Sequence, residues 1–220
     1  MTEHDHEPIP GLPGMLPKDE RILWQGAPDW RVLARTAFHT RLVTGYFVLL
    51  AGWSLGAALA RGVTGIGDLS GVALTGGLGL LAVGLLNALA WGSARTTLYT
   101  LTNRRIVLRV GVAFSKCINL PLRLVGTVGL ATHADGSGDL PLTLSSDRKL
   151  GFLALWPHAR PWRVSTPEPM LRAVPEAAQV AAMIARACLA VHPHGTVAQP
   201  APVAAPARAP EPAYAQTVAA

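Results

Sequence analysis

Residues 71–91 read GVALTGGLGLLAVGLLNALAW, a run without a single charge and with one amide, Asn87. Coiled as a helix, this run is about 31 Å long, enough to cross a hydrocarbon core of roughly 30 Å. A buried helix in a large soluble core can be just as apolar, so the surroundings decide. Upstream, residues 42–60 read LVTGYFVLLAGWSLGAALA, again uncharged, bracketed by Arg41 and Arg61. Two such runs in close succession predict a membrane hairpin: transmembrane helices over 42–60 and 71–91, antiparallel, joined by a short loop over 61–70.

Composition agrees. Half of the 220 residues are hydrophobic and 15% are charged, against about 25% charged in an average globular chain. The net charge of +6 could mark a nucleic-acid binder, but its distribution suits a membrane protein better. Arg31, Arg35 and Arg41 precede the first run, and Arg95, Arg104, Arg105 and Arg109 follow the second. The connection offers Arg61 against Asp68. The excess of Arg on one side places both termini in the cytoplasm and the 61–70 loop in the periplasm. The expected location is therefore a membrane with both termini on its cytoplasmic side, and nucleic acid is not an expected partner. The polar, acidic start of the chain lacks the basic-then-apolar pattern of a cleaved signal peptide.

In lipid, helices associate through close approach of small residues. Gly52 and Gly56 form a GxxxG pair on the first helix, and Gly77 and Gly84 lie with Ala73 and Ala88 near one face of the second. These glycines are candidate packing positions, serving the hairpin itself, self-association into a homo-oligomer, or docking of another membrane protein. Trp91 suits the interface. Trp53 falls near mid-membrane, and Asn87 is expected to hydrogen-bond across to the other helix.

After the spans the pattern changes to short β-branched runs. TLYTLT at 97–102 and RIVLRV at 105–110 predict a β-hairpin. Further strands are expected over 112–120, 122–132, 139–144 and 149–156, separated by Gly111, Pro121, the Asp-Gly-Ser-Gly turn at 135–138 and Ser-Ser-Asp at 145–147. Residues 175–191 predict a helix, with Pro175 in its first turn and Val180, Met183, Ile184 and Ala187 on one face. The fold class is therefore an α-helical membrane hairpin plus a cytoplasmic β-sandwich or barrel over 95–191, capped by a C-terminal helix. Residues 1–41 form a cytoplasmic arm with a short strand at 21–24 and an interfacial helix at 30–38. The Ala/Pro stretch 192–220 is expected to be disordered.

Catalytic signatures are sparse. Cys117 and Cys188 are far apart and form no CxxC, and no GxSxG or phosphate loop appears. The seven histidines are scattered; His39, just before the first span, is the one placed to ligate a pigment, with a plain interfacial role as the alternative. No enzyme activity, cofactor or metal is expected. The cluster LWPHARPWR at 155–163 is the chief candidate surface. Trp156, His158, Arg160 and Trp162, with Trp24 and Trp30 from the arm, form a candidate partner surface of indoles and guanidiniums. Trp156 itself is expected to point into the β core.

Three blocks of this sequence are familiar: LPKDERILWQGAPDWRVLARTAFHTR before the first span, TTLYTLTNRRIVLRVGVA after the second, and LWPHARPWR with PEPMLRAVPEAAQVA near the end. Together, over roughly residues 8–190, they resemble the PuhB family of purple phototrophic bacteria, whose soluble part is similar to bacterial pleckstrin-homology-like domains. The resemblance implies a role in assembling the photosynthetic reaction centre and its core antenna in the bacterial cytoplasmic membrane, inner or intracytoplasmic, with reaction-centre subunits or other photosynthetic membrane proteins as partners alongside the bilayer. Some members are drawn with three spans; here 124–131 is too short to be a third. The alternative is a general PH-like membrane protein that senses anionic lipid or binds another membrane partner.

Overall fold

The computed structural model describes residues 11–12, 14–62, 69–111, 116–145 and 151–192. Most of the 61–70 loop, the Ser-Ser-Asp turn beyond Ser145 and the 193–220 tail lie outside these residues, as do the first ten. In chain order the elements are β1 (Ile22–Gly26), α1 (Trp30–Thr36), α2 (Thr40–Ala60), α3 (Ser70–Thr96), β2 (Leu98–Thr102), β3 (Arg105–Val110), β4 (Lys116–Pro121), β5 (Val125–Val128), β6 (Ala131–Thr132), β7 (Gly138–Leu144), α4 (Phe152–Leu155), β8 (Met170–Val174) and α5 (Ala177–Val191).

The two apolar runs are indeed the two long helices, each long and apolar enough to cross a membrane. The rest of the protein buries only 6% of the most apolar window of either one. They lie against each other, with a close approach at Gly79: a Cβ there would sit 2.8 Å from the Cβ of Phe47. The glycines singled out in the sequence do not make that contact. A Cβ at Gly52, Gly56, Gly77 or Gly84 would meet nothing within 4 Å, so none of the four packs the hairpin on itself. Asn87 also departs from expectation, since its Nδ2 donates to Val83 O of its own helix at 2.8 Å. A neighbouring backbone carbonyl one turn back satisfies the amide without a partner helix.

α3 runs past the expected end at residue 91 to Thr96 because its last turns face protein. Ala90 and Ala94 are buried against Val32, Leu33 and Ala34 of α1. α1 starts where Asp29 accepts from Arg31 N at 2.7 Å and Val32 N at 3.3 Å, a side-chain N-cap. It ends near Phe38, and His39, in a left-handed conformation at φ 50°, turns the chain into α2. The helix expected to lie at an interface is thus wedged between α3 and β8.

The β domain holds one antiparallel sheet in the order β1-β2-β3-β4 and a second in which β7 pairs with β5, β6 and β8. Tyr99, Leu101, Ile106, Leu108, Leu120, Leu140 and Leu171 fill the core, and Val180, Ile184 and Cys188 of α5 close it. The arm is part of this domain. β1 extends to Gly26 and pairs with β2, Trp24 opposite Leu101 and Gly26 opposite Tyr99.

The TLTNRR stretch explains why the arm stays there. Thr102 Oγ1 donates to Glu20 Oε1 at 2.8 Å and accepts from Arg104 N and Arg105 N. Arg105 Nε donates to the same Glu20 oxygen at 2.7 Å. Asn103 then accepts from Arg21 N at 3.0 Å and donates to Asp19 O at 2.9 Å. The motif is a clasp for the N-terminal segment.

Two strand expectations need correction, and one strand, β8, has no counterpart among those expected. Within 149–156, residues 152–155 form one helical turn, α4, and 146–150 lie outside the described residues. The 122–132 strand is broken by a 3-10 turn at Leu122–Leu124 and by Gly129, so it becomes β5 and β6. β8 was not anticipated, since MLRAV carries an arginine at its centre and lies between Pro169 and Pro175.

Candidate functional site

The segment 155–160 threads through the junction between the helix hairpin and the β domain. Leu155 is fully buried, His158 N donates to Leu155 O at 2.6 Å, and Met170 N donates to His158 O at 2.8 Å. The chain is thereby held against β8. Leu155, Pro157, His158 and Ala159 are buried along this path, whereas Trp156 is 46% exposed. The placements of Trp156 and His158 both overturn the sequence expectation. Trp156 is no core residue, and its ring meets Phe38 edge-on at 5.5 Å. His158 is no surface residue, because it is completely buried.

The surroundings of His158 determine its proton. Tyr99 Oη lies 2.7 Å from Nδ1, and Thr97 Oγ1 lies 3.0 Å from Nε2. Arg172 N donates to Tyr99 Oη at 3.1 Å, and the phenolic hydrogen has two acceptors in reach, Nδ1 and, at 3.5 Å, Arg172 O. A neutral imidazole, one nitrogen donating and the other accepting, satisfies both the Thr97 and the Tyr99 contact. Burial, then the charge of Arg172, hold the imidazole pKa down at about 3. Burial likewise raises that of Tyr99. Arg172 is itself buried, its pKa lowered mainly by that burial and supported by Asp139. Its NH1 donates to Pro157 O at 3.1 Å, while its Nε lies 3.9 Å from Asp139 Oδ2. Asp139 Oδ1 accepts from Ala173 N at 2.8 Å.

This network joins β2, β7, β8 and the 155–160 segment just beyond α3. A neutral, fully satisfied histidine with no open face is a structural pin. Thr97, Tyr99 and His158 are all buried and present no face to a substrate.

The other candidate residues disperse. Trp24 packs on the core from β1 and lines a groove with Gly26, Pro175, Gln179 and Met183 against α5. Trp30 begins α1, its indole under the Arg31 guanidinium at 5.4 Å. Arg160 and Trp162 stay together on the loop after the junction, where Arg160 NH1 donates to Glu168 Oε2 at 2.7 Å and Trp162 is 95% exposed. His39 is exposed at the turn into α2, and its side chain makes no cap hydrogen bond. No group of three or more His, Cys, Asp or Glu suited to a metal occurs among the described residues.

Two further surfaces stand out. Leu49, Gly52, Trp53, Gly56 and Ala57 border an open cleft of about 440 Å³ on the face of α2. At the far end of the β2–β3 hairpin, Pro17, Glu20, Arg104, Arg105, Pro121, Arg123 and Val191 line a basic cleft of about 430 Å³. The sequence pointed to the first through its GxxxG spacing. It missed the second, whose arginines come together only through the fold, and it missed Phe38, Thr97, Tyr99, Asp139 and Arg172, which build the junction.

The bacterial PH domain family matches residues 45–187. The chain belongs to the bacterial PH domain family. The match begins inside α2, so the family unit takes in most of the helix hairpin as well as the β domain. The chain is also 38% identical over 200 residues to an uncharacterised 23.7 kDa protein in the puhA 5′ region of Rhodobacter capsulatus, covering 86% of this chain and 90% of that one. Among solved structures it is similar to a pleckstrin-homology protein of the DUF1696 family from Shewanella loihica, at 15% identity and a TM-score of 0.30 over 42% of this chain and 71% of the other. That superposition adds nothing to the assignment.

Proposed function

We propose that this PH-family protein is a non-catalytic assembly factor for the photosynthetic reaction centre and its core antenna complex. It is anchored by a membrane hairpin with both termini in the cytoplasm. The observation that carries the proposal is its 38% identity, over nearly the whole of both chains, to a relative described by its place in the puhA 5′ region. The likeness of the ILWQGAPDW and LWPHARPW blocks to PuhB proteins points the same way.

The physical case for the membrane is the exposed surface of α2 and α3. Leu42, Val48, Leu49, Trp53, Leu59, Leu74, Leu80, Leu81 and Leu85 are all largely exposed, an apolar area far beyond what a soluble monomer leaves in water. Lipid would cover it. In such a setting the Gly52–Gly56 cleft, unused by α3, is a place where a client's transmembrane helix can approach closely. Reaction-centre subunits and other photosynthetic membrane proteins are the proposed clients, and homo-oligomerisation would use the same face.

The basic cleft favours a second reading, a sensor of anionic headgroups. Two features weigh against it. Arg105 is already committed to Glu20, and the cleft lies the length of β2, about 17 Å, from the end of α3.

Deleting the gene in a phototrophic host tests the proposal. Respiratory growth and pigment synthesis should persist while reaction-centre content falls, and restoring the full chain should recover it. Unchanged reaction-centre content in the deletion strain would sink the assembly reading and leave the lipid sensor.

A further inference from the structure

The loop that follows the junction ends in a tip unlike the remaining domain surface. Its base is a short ladder in which Arg160 N donates to Glu168 O at 2.9 Å and Ala159 bridges to Pro169. Between them Trp162 is 95% and Val164 67% exposed. Trp162 holds a left-handed backbone at φ 65°, a conformation that a bulky side chain rarely adopts. Glu168 spans two guanidiniums, with Oε2 at 2.7 Å from Arg160 NH1 and Oε1 at 3.6 Å from Arg163 NH1. One carboxylate therefore orders two cations and leaves the tip with a surplus positive charge.

The location of the base gives this tip its meaning. Trp156 packs on Phe38, just before α2, and His158 bonds to Thr97, the first residue after α3. The loop springs from the point where one helix of the hairpin begins and the other ends. Trp and Arg are the residues that favour the boundary between headgroups and acyl chains, where an indole is half solvated and a guanidinium meets lipid phosphate.

We propose that the tip 160–167 rests on the bilayer the hairpin crosses, with Trp162 and Val164 at the headgroup boundary and the surplus positive charge of the Arg160–Glu168–Arg163 cluster facing anionic lipid. This rests on the membrane-hairpin reading above. The domain is then held at α2, at α3 and at the tip. Three points fix its tilt over the membrane, whereas two in-line helix connections leave it free to rock.

Depth-dependent fluorescence quenching tests this on the full chain. With Cys117→Ser as background, a small fluorophore is attached at Val164→Cys, and in separate samples at Leu49→Cys on α2 and at Arg123→Cys in the basic cleft. Each protein is placed in nanodiscs of phosphatidylglycerol and phosphatidylethanolamine containing nitroxide-labelled lipid. The label at 164 should be quenched severalfold more than that at 123, most strongly by nitroxides near the headgroup. Leu49 should respond best to nitroxides deep in the chains.

Trp162→Ser should cut the quenching at 164 severalfold without changing the melting temperature, since the side chain lies outside the core. Quenching at 49 with none at 164 would overturn the anchor alone, while quenching at neither would overturn the hairpin too. Shielding of 164 only on adding reaction-centre protein would assign the tip to a protein partner and equally overturn the lipid contact.

Discussion

α5 and α2 are both rich in Ala, Leu and Val, yet they solve opposite problems. α5 keeps its apolar residues on one stripe: Val180, Ile184, Ala187 and Cys188 are buried against the sheets, while Gln179 and Ala182 face outward. α2 has no such stripe. Trp53 is 77% exposed, and of its 21 residues only Thr40 and Ala58 are buried. An amphipathic helix needs a core on one side and water on the other; a helix that is apolar all round needs a surrounding that is not water. Burial within the chain therefore separates the domain helix from the two candidate membrane helices better than hydropathy does.

The largest expected effects test that contrast directly. Ile184→Ala opens a hole between the sheets and α5 and should destabilise the β domain by roughly 2–5 kcal/mol, read as an earlier urea midpoint in detergent micelles. Leu49→Arg alters an exposed residue, and if water surrounded α2 it would be harmless or improve solubility. In a membrane helix it should oppose insertion by about 2.5–3.5 kcal/mol, read as loss of protein from the membrane fraction. A fully membrane-integrated, stable Leu49→Arg protein would show that α2 is not solvated by lipid.

A smaller effect concerns the junction between the two regions. His158 stays neutral in the fold down to about pH 3, against an ordinary value of 6.5. The unfolded chain takes up a proton that the folded one refuses, so stability is complete above about pH 7 and falls as the pH drops below 6.5 toward 3. At pH 5 the loss from this group is about 2 kcal/mol. Urea titrations at pH 7.5 and pH 5 should show it. His158→Gln, which keeps a donor and an acceptor, should be less stable at pH 7.5 but should depend less on pH over that range. An equal pH dependence in the variant would place the acid sensitivity elsewhere.

Much of this architecture could be read from the sequence, because two periodicities mark it. The uncharged runs gave α2 and α3 within a few residues, and the alternation of TLYTLT and RIVLRV gave β2 and β3. What escaped has a common cause. β8 is short, and its central Arg172 is polar only until Asp139 and Pro157 O come round to meet it. Side-chain type alone puts the indole of Trp156 inward and the imidazole of His158 outward. Buried partners reversed them, since Thr97 and Tyr99 offer a histidine the hydrogen bonds a tryptophan cannot use in full. Distant partners leave no local pattern. The candidate surface was therefore legible as a segment, 155–163, but not in its orientation.

The smallest effect sharpens the comparison within the hairpin, where the spacing rule and the packing disagree. GxxxG spacing marks Gly52 and Gly56 as the contact of α2, whereas the close approach runs through Gly79 to Phe47. A methyl group at Gly79 would press on the Phe47 ring and force the helices apart or the ring aside. Gly79→Ala should therefore weaken the hairpin, by about 1 kcal/mol or somewhat more, as overpacking commonly does. It should be read as easier dissociation of α2 from α3 in a cysteine cross-linking assay between the two helices. Gly56→Ala places its methyl group in open space and should leave the same cross-link unchanged. Its effect should appear only when something else fills the cleft bordered by Leu49, Trp53 and Ala57, as reduced co-purification of reaction-centre subunits at normal levels of this protein. If Gly56→Ala weakens the intramolecular cross-link as much as Gly79→Ala does, the glycine pair packs the hairpin after all, and the cleft is not a docking face.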